Sequence, residues 1–292
     1  MSMDHVDGHN LLFVVGCPRS GTTWVQRLLA AHPQVKTGQE SNVFASYVGP
    51  QLRSWRRKLN ITTGGRGGLG LACYLTEKEF LFALKAYLNL LMAPMLAQLQ
   101  PGDIFLEKTP SHALFLLEIL ELLPKARFLH IVRNPRDVIA SLLAASKSWG
   151  KTWAPSKVEQ AAAVWITHVE AVKGASRLLR PDQFMEVSYE GLFSDQARTL
   201  RSILKFLNLD WDDENLAAAV ATNSADSIKA QKGTKIEIGG EFFATMGSVA
   251  QEPSGFVRKG RPNVWREDLT VWERIRVYWA LRKVSDIVST YS

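Results

Sequence analysis

Leu11-Leu12-Phe13-Val14-Val15-Gly16-Cys17-Pro18-Arg19-Ser20-Gly21-Thr22-Thr23-Trp24 is the stretch on which the fold turns. Its five leading apolar residues, two of them β-branched valines, predict a buried strand. Gly16 and Pro18 break that strand. Thr22-Thr23-Trp24-Val25-Gln26-Arg27-Leu28-Leu29 then predicts an amphipathic helix that stops before Pro33. A strand, a glycine-containing loop and a helix N-terminus together make an anion cradle. Loop N–H groups and those of the first helical turn point at one spot, and the helix dipole adds partial positive charge there.

The interval from Gly16 to Gly21 matches the first half of a Walker A loop, but Thr22 stands where the Walker lysine belongs. The cation has moved into the loop as Arg19. Such a site suits a phosphate-bearing ligand and departs from ordinary Mg-nucleotide handling.

The remaining chain sets the context. At 292 residues it is long enough for one large α/β domain. Hydrophobic residues at 46% and charged residues at 22% are ordinary for a globular protein and exclude disorder as the main state. No stretch reaches the ~18 uninterrupted apolar residues of a membrane span. The nearest, Phe80 to Leu99, is interrupted by Lys85, Asn89 and Gln98. The N-terminus lacks the basic region of a signal peptide, and Cys17 and Cys73 alone make a disulfide framework improbable, so a reducing cytoplasm is expected. A net charge of +7 favours an anionic ligand. Nucleic acid is not expected, since no recognisable module or dense lysine run is present.

Further strands are predicted at Ile104-Phe105-Leu106, Arg127 to Val132 and Phe184 to Val187. Each is followed by polar residues: Glu107-Lys108-Thr109, Arg133-Asn134-Pro135-Arg136-Asp137 and Ser188-Tyr189-Glu190. Ligands of open α/β sheets bind at such strand ends. Thr76 with Glu79 predicts a capping box for a helix to about Leu99, whose bulky apolar residues are expected in the core. Ser111 is expected to cap a leucine-rich helix ending near Pro124, another helix is expected from Val138, and Thr270 with Glu273 marks a closing helix. Arg53-Ser54-Trp55-Arg56-Arg57-Lys58 leads into Gly64-Gly65-Arg66-Gly67-Gly68 and predicts a mobile basic loop.

Pro18 to Trp24 resembles the 5′-phosphosulfate-binding loop of the sulfotransferases that use 3′-phosphoadenosine 5′-phosphosulfate (PAPS). Cytosolic members carry a lysine at the place of Arg19, while tyrosylprotein and many bacterial members carry arginine. The resemblance implies a single α/β domain of P-loop NTPase-like type, a central parallel sheet flanked by helices. It would run over residues 11–292, after a tail at 1–10, with flexible loops at about 50–72 and 233–260. Arg133 with Ser141, eight residues on, matches the family's 3′-phosphate segment. Arg133 offers a planar fork and Ser141 a hydroxyl from the following helix. Arg136 and Asp137 are expected to be helix-start scaffolding. Tyr189 stands in a Tyr-Glu-x-Leu segment whose tyrosine contacts nucleotide in the family. Arg258-Lys259-Gly260, with Trp265 beyond, is similar to the element wrapping the 3′-phosphate, although Asn263-Val264 replaces the usual Gly-Asp. Ser224 and Ile228 fit loosely an adenine-side pattern. Ser20, Gly21, Thr22 and Thr23 would hold the 5′-phosphate, and Trp24 resembles the tryptophan that stacks on adenine.

By this resemblance Arg19 and Lys108 stabilise charge on the transferring group, or Lys108 merely pairs with Glu107. Glu40 follows Arg19 by 21 residues, as the glutamate base does in tyrosylprotein members. His112, four residues after Lys108, is a second candidate base. Glu40 is preferred. The implied reaction is sulfonate transfer from PAPS, leaving 3′-phosphoadenosine 5′-phosphate (PAP), without a metal. The expected acceptor is a hydroxyl or amine on a small molecule, lipid or glycan. Trp55, Trp149, Trp153 and Phe242-Phe243 are candidate pocket walls that would serve equally in a core or a homodimer surface. The alternatives are a P-loop kinase and a non-catalytic nucleotide-binding module.

Overall fold

The computed structural model describes residues 6–63, 66–97, 99–224, 227 and 259–291. The opening apolar run forms strand β1 (Leu11–Gly16), buried along its whole length. Its two faces feed separate cores, because successive side chains of a strand alternate. Leu11, Phe13 and Val15 join one cluster, and Leu12 and Val14 the other. Strands β2 (Val35–Thr37), β5 (Ile104–Lys108), β6 (Arg127–Val132) and β7 (Phe184–Ser188) complete a five-stranded sheet in the order β2-β5-β1-β6-β7. Every pairing in it is parallel. Between β2 and β5, residues Thr62–Thr63 (β3) and Arg66–Gly67 (β4) make a small antiparallel pair. The chain is therefore an α/β domain with a central parallel sheet flanked by helices, and its strand ends point one way.

Helix α1 (Thr22–Ala30) follows β1 and packs Val25, Leu28 and Leu29 against the Leu12 and Val14 face. Helices α7 (Tyr189–Ser194) and α8 (Gln196–Leu207), both after β7, and α9 (Asp213–Thr222) cover that face as well. The opposite face is covered by α2 (Gly49–Leu59), α3 (Glu77–Leu96), α4 (Leu116–Leu122) and the end of α6 (Val158–Ser176). Helix α5 (Pro135–Ser146) packs with α6 and the closing helix Val271–Leu281 in a third cluster.

Several local expectations need correction. The basic stretch Arg53 to Lys58 is helix α2, not a loop. Leu52 and Trp55 fall one turn apart and are buried, Trp55 stacked on Phe80 at 4.1 Å, so Trp55 is core and not a pocket wall. Arg53 and Arg56 face outward to pair with Glu118 and Glu121. Residues 6–10 are tied down: Asp7 pairs with Lys125, and the Val6 amide donates to Asn89 Oδ1. The expected loop at 233–260 lies outside the described residues, save Lys259 and Gly260. Ser111 does not cap a helix: it lies inside a 3-10 turn, Pro110–Phe115, that precedes α4. Helix α5 begins at Pro135, with the Asn134 side chain accepting from the Arg136 amide.

Helix α3 has its capping box at Thr76 and Glu79, but only Leu84, Leu88 and Met92 are buried. Leu90 is 70% exposed and Tyr87 also faces out. By length and composition α3 is long and apolar enough to cross a membrane.

Candidate functional site

Strands β1, β5, β6 and β7 all end on the same edge, and the loop after β1 lies at its middle. Gly16 is required there, since a Cβ would sit 2.4 Å from the Ile131 carbonyl oxygen of β6. The loop then turns through two left-handed residues, Arg19 at φ 76° and Gly21 at φ 100°. A non-glycine residue held at positive φ carries strain of ~1–3 kcal/mol, which structures retain at sites where a group must be aimed. The Arg19 guanidinium donates from Nε to Ser141 Oγ at 3.1 Å and lies 5.1 Å from the Trp149 ring centre. The first N–H groups of α1, at Thr22 and Thr23, have no partner within the helix by geometry. Ser20 Oγ, fully buried beside them, meets no hydrogen-bond partner among the described residues.

Arg133 follows β6 and is buried. Its guanidinium donates to the Arg19 carbonyl at 3.4 Å and the Arg261 carbonyl at 3.2 Å, and lies over the Tyr189 ring at 4.0 Å. Asp137 is 3.9 Å away and spends its carboxylate on the Asn263 and Trp265 amides, at 2.7 and 2.9 Å. Asp137 thus clips the 259–265 segment to the start of α5, a structural role in keeping with a helix-start position. Arg133 Nε is buried without a partner. A buried guanidinium answered mainly by two carbonyls and a ring is a ready acceptor of a phosphate. Lys259 lies in the same segment, paired with Glu267 at 2.8 Å and Asp268 at 3.0 Å, and Gly260 takes φ 66°. Arg258 and Ile228 lie outside the described residues.

Tyr189, at the start of α7, is the wall between these groups. Its ring touches the loop at Gly21, where a Cβ would come within 2.6 Å of Cδ2, and sits 5.4 Å from the Trp24 ring. Burial pushes the Tyr189 hydroxyl's pKa up, against an opposing pull from Arg133. Trp24 donates from Nε1 to the Asn223 carbonyl and is nine-tenths buried in the core beside α8 and α9. Trp149 and Trp153 lie 5.4 Å apart, with Trp153 half exposed; Phe242 and Phe243 fall outside the described residues.

On the other flank, Lys108 ends β5 beside Val14 of β1. Its ammonium meets Glu40 Oε1 at 2.6 Å and not Glu107, correcting the alternative pairing. Lys108 is buried, whereas the Glu40 side chain is 44% exposed and open to an incoming molecule. Glu107 is fully buried. Burial pushes its pKa up, but His112 and hydrogen bonds from Ser41 and Thr109 outweigh that and hold it at about 2. The candidate base His112 is itself fully buried, with Nδ1 2.8 Å from Glu107 and Nε2 accepting from the Phe44 amide at 3.1 Å. The ring is wholly enclosed, with no face open to solvent, which does not suit a base that must meet an incoming hydroxyl.

The structure thus gathers Arg19, Ser20, Gly21, Thr22, Thr23, Arg133, Ser141 and Tyr189 around one cradle, with Lys108 and Glu40 on its flank. Glu107 carries a role that sequence reasoning missed, and Asp137 adds to its expected helix-start place a clip to the Asn263 and Trp265 amides. The available signal for Glu107 was an acidic residue directly after the apolar run Ile104-Phe105-Leu106, within the same strand. Among the described residues no cluster of three His, Cys, Asp or Glu side chains could hold a metal.

A family model described as "Sulfotransferase family" matches residues 12–213. A protein-tyrosine sulfotransferase of Drosophila melanogaster is 28% identical over 227 residues, covering 76% of this chain and 42% of its own length. Protein-tyrosine sulfotransferase 1 of Danio rerio is 25% identical over 225 residues, covering 76% of this chain and 59% of that protein. The chain therefore spans about half the length of these curated relatives. Among solved structures, mouse sulfotransferase SULT7A1 complexed with PAP superposes with a TM-score of 0.58 at 14% identity, covering 99% of this chain and 92% of that one. The sulfotransferase domain of the Synechococcus PCC 7002 olefin synthase gives 0.50 at 22% identity, covering 97% and 98%.

Proposed function

Since this chain belongs to the sulfotransferase family, we propose that it moves a sulfonate group from PAPS to a hydroxyl acceptor, foremost a tyrosine phenol in a peptide. That acceptor differs from the small molecule, lipid or glycan expected from the sequence. Its support is the pair of relatives named protein-tyrosine sulfotransferases, each matched over 76% of this chain. The comparisons lend no support to the expected cytoplasmic location, and the proposed reaction does not depend on it.

The observation that carries the reading is the flank of the cradle. A buried lysine and an exposed glutamate meet at 2.6 Å at the end of β5, next to the loop that carries Arg19. In the proposed reaction the loop amides, Ser20, Thr22 and Thr23 hold the 5′-phosphate, and Ser20 Oγ and Arg133 Nε find the partners they otherwise lack. Arg133, Ser141, Lys259 and Arg258 take the 3′-phosphate, while Tyr189 and Trp24 shape the wall toward the base. The acceptor oxygen forms a bond to sulfur as the bond from sulfur to the phosphate oxygen breaks, and PAP leaves. Glu40 receives the acceptor's proton. Arg19 and Lys108 stabilise charge developing on the bridging oxygen and the sulfonate.

Radiolabelled PAPS offered with a tyrosine peptide and its phenylalanine counterpart tests this directly. Label on the tyrosine peptide alone, undiminished by EDTA, is the expected result. PAP binding without transfer to any phenol or alcohol would refute the enzyme in favour of a nucleotide-binding module, and a Mg²⁺ requirement would favour a kinase.

A further inference from the structure

The segment that carries Glu40 is fastened by a buried side-chain array of Glu107, Thr109 and His112. Four consecutive amides are captured in turn. The Ser41 N–H and hydroxyl donate to Glu107 Oε1 at 3.1 and 2.7 Å. The Asn42 N–H donates to Thr109 Oγ1 at 3.2 Å, the Val43 N–H to Ser41 Oγ at 3.2 Å, and the Phe44 N–H to His112 Nε2 at 3.1 Å. The Thr109 hydroxyl donates to the same Glu107 oxygen at 2.7 Å, and His112 Nδ1 lies 2.8 Å from the other. These amides open the helical run that starts at Val43, whose first donors no helix can satisfy from within. The Phe44 amide is directed at Nε2, which leaves Nδ1 as the ring nitrogen that faces Glu107.

Neighbouring residues of a strand face opposite sides of a sheet, so Glu107 and Lys108 point apart. Residues 40 and 41 straddle them: Ser41 is held on Glu107, and Glu40 reaches Lys108. Fixing Ser41 fixes the arc over which the Glu40 carboxylate can swing. Asn42, at φ 53°, makes the sharp turn this requires.

We propose that Glu107 and His112 are positioning residues that set the carboxylate of Glu40 against the acceptor hydroxyl; this rests on Glu40 being the base. His112 then acts through the backbone of residues 41–44 and takes no proton from the acceptor. The test measures turnover of wild type, Glu40→Gln, His112→Asn and the double variant on a tyrosine peptide and on a nitrophenolate, which needs no base. PAP affinity is read alongside by calorimetry. His112→Asn is expected to lower kcat on the peptide about tenfold or more, as misplacement of a reacting group does. PAP affinity and the nitrophenolate rate should stay near wild type, and in the Glu40→Gln background the substitution should cost nothing further. Ser41→Ala removes one donor from Glu107 and the acceptor of the Val43 amide, leaves the His112 contact in place, and should give a loss of the same pattern, which keeps the test open if His112→Asn does not fold. Equal losses on both acceptors, or a loss in the double variant that multiplies that of Glu40→Gln, would overturn the positioning role. A wild-type rate for Glu40→Gln would overturn the base assignment instead.

Discussion

Replacing Arg133 by alanine removes a buried guanidinium whose protein partners are weak. The two carbonyls stand at 3.4 and 3.2 Å, Asp137 is 3.9 Å off and already committed, and Nε has no partner. The strongest interaction open to this side chain is with an anion brought by a ligand. A charge-assisted hydrogen bond is worth ~1.5–3 kcal/mol, so the loss should weaken PAP binding by about 10- to 150-fold. The cost to the fold is smaller, chiefly the cation–π contact with Tyr189 at ~0.5–2 kcal/mol, so the variant should remain folded at 25 °C. Calorimetry with PAP and with AMP separates the effects, because AMP lacks the 3′-phosphate. Wild type should prefer PAP, and in Arg133→Ala that preference should shrink by most of the stated factor. An unchanged ratio between the two ligands would refute the assignment. If that unchanged ratio came with an equal weakening of both, Arg133 would act only by holding the Arg19 carbonyl.

Arg19→Ala should leave PAP affinity within a few-fold of wild type but lower turnover by ~10²-fold or more, with Arg19→Lys recovering part; a wild-type rate in a radiolabel assay would contradict its role at the bridging oxygen. Gly21→Ala places a Cβ 2.6 Å from the Tyr189 ring at φ 100°, so it should destabilise by ~1–3 kcal/mol and lower the Tm by several degrees. Glu107 titrates at about 2 in the folded protein against 4.5 as its ordinary value, so its contribution to stability is complete above pH 4.5 and is lost as the pH falls toward 2. Denaturant midpoints should therefore drop more steeply between pH 5 and about 3 in wild type than in Glu107→Gln, and parallel curves would contradict the depressed value.

Strands β1, β5 and β6 were legible because parallel strands buried on both faces read as apolar runs, and the edge strand β7 by Phe184, Met185 and Val187. Polar residues after each strand marked the edge where the Arg19 loop, Lys108, Arg133 and Tyr189 lie. Helix α2 was not legible, because its inward residues Leu52 and Trp55 are interleaved with arginines and followed by a glycine run that dominates a local reading. Helix α3 deceived in the opposite sense: its apolar residues suggested core all round, while Leu90 and Tyr87 face out. The Arg19 loop could be read because glycine spacing encodes backbone geometry directly. His112 could not, since its contact with the Phe44 amide arises from packing between segments 68 residues apart.

The cradle joins groups far apart along the chain: the Arg19 carbonyl meets a guanidinium 114 residues later, and that guanidinium meets the Arg261 carbonyl a further 128 residues on. The unfolded chain holds nothing of this arrangement. A ligand that fills the cradle therefore binds the native state alone and shifts the folding equilibrium by mass action, by ~2.7 kcal/mol at one hundred times its dissociation constant. Nucleotide supply would then govern how much of this protein survives proteolysis as well as how fast it turns over, and spent nucleotide would protect the chain as well as fresh cosubstrate does.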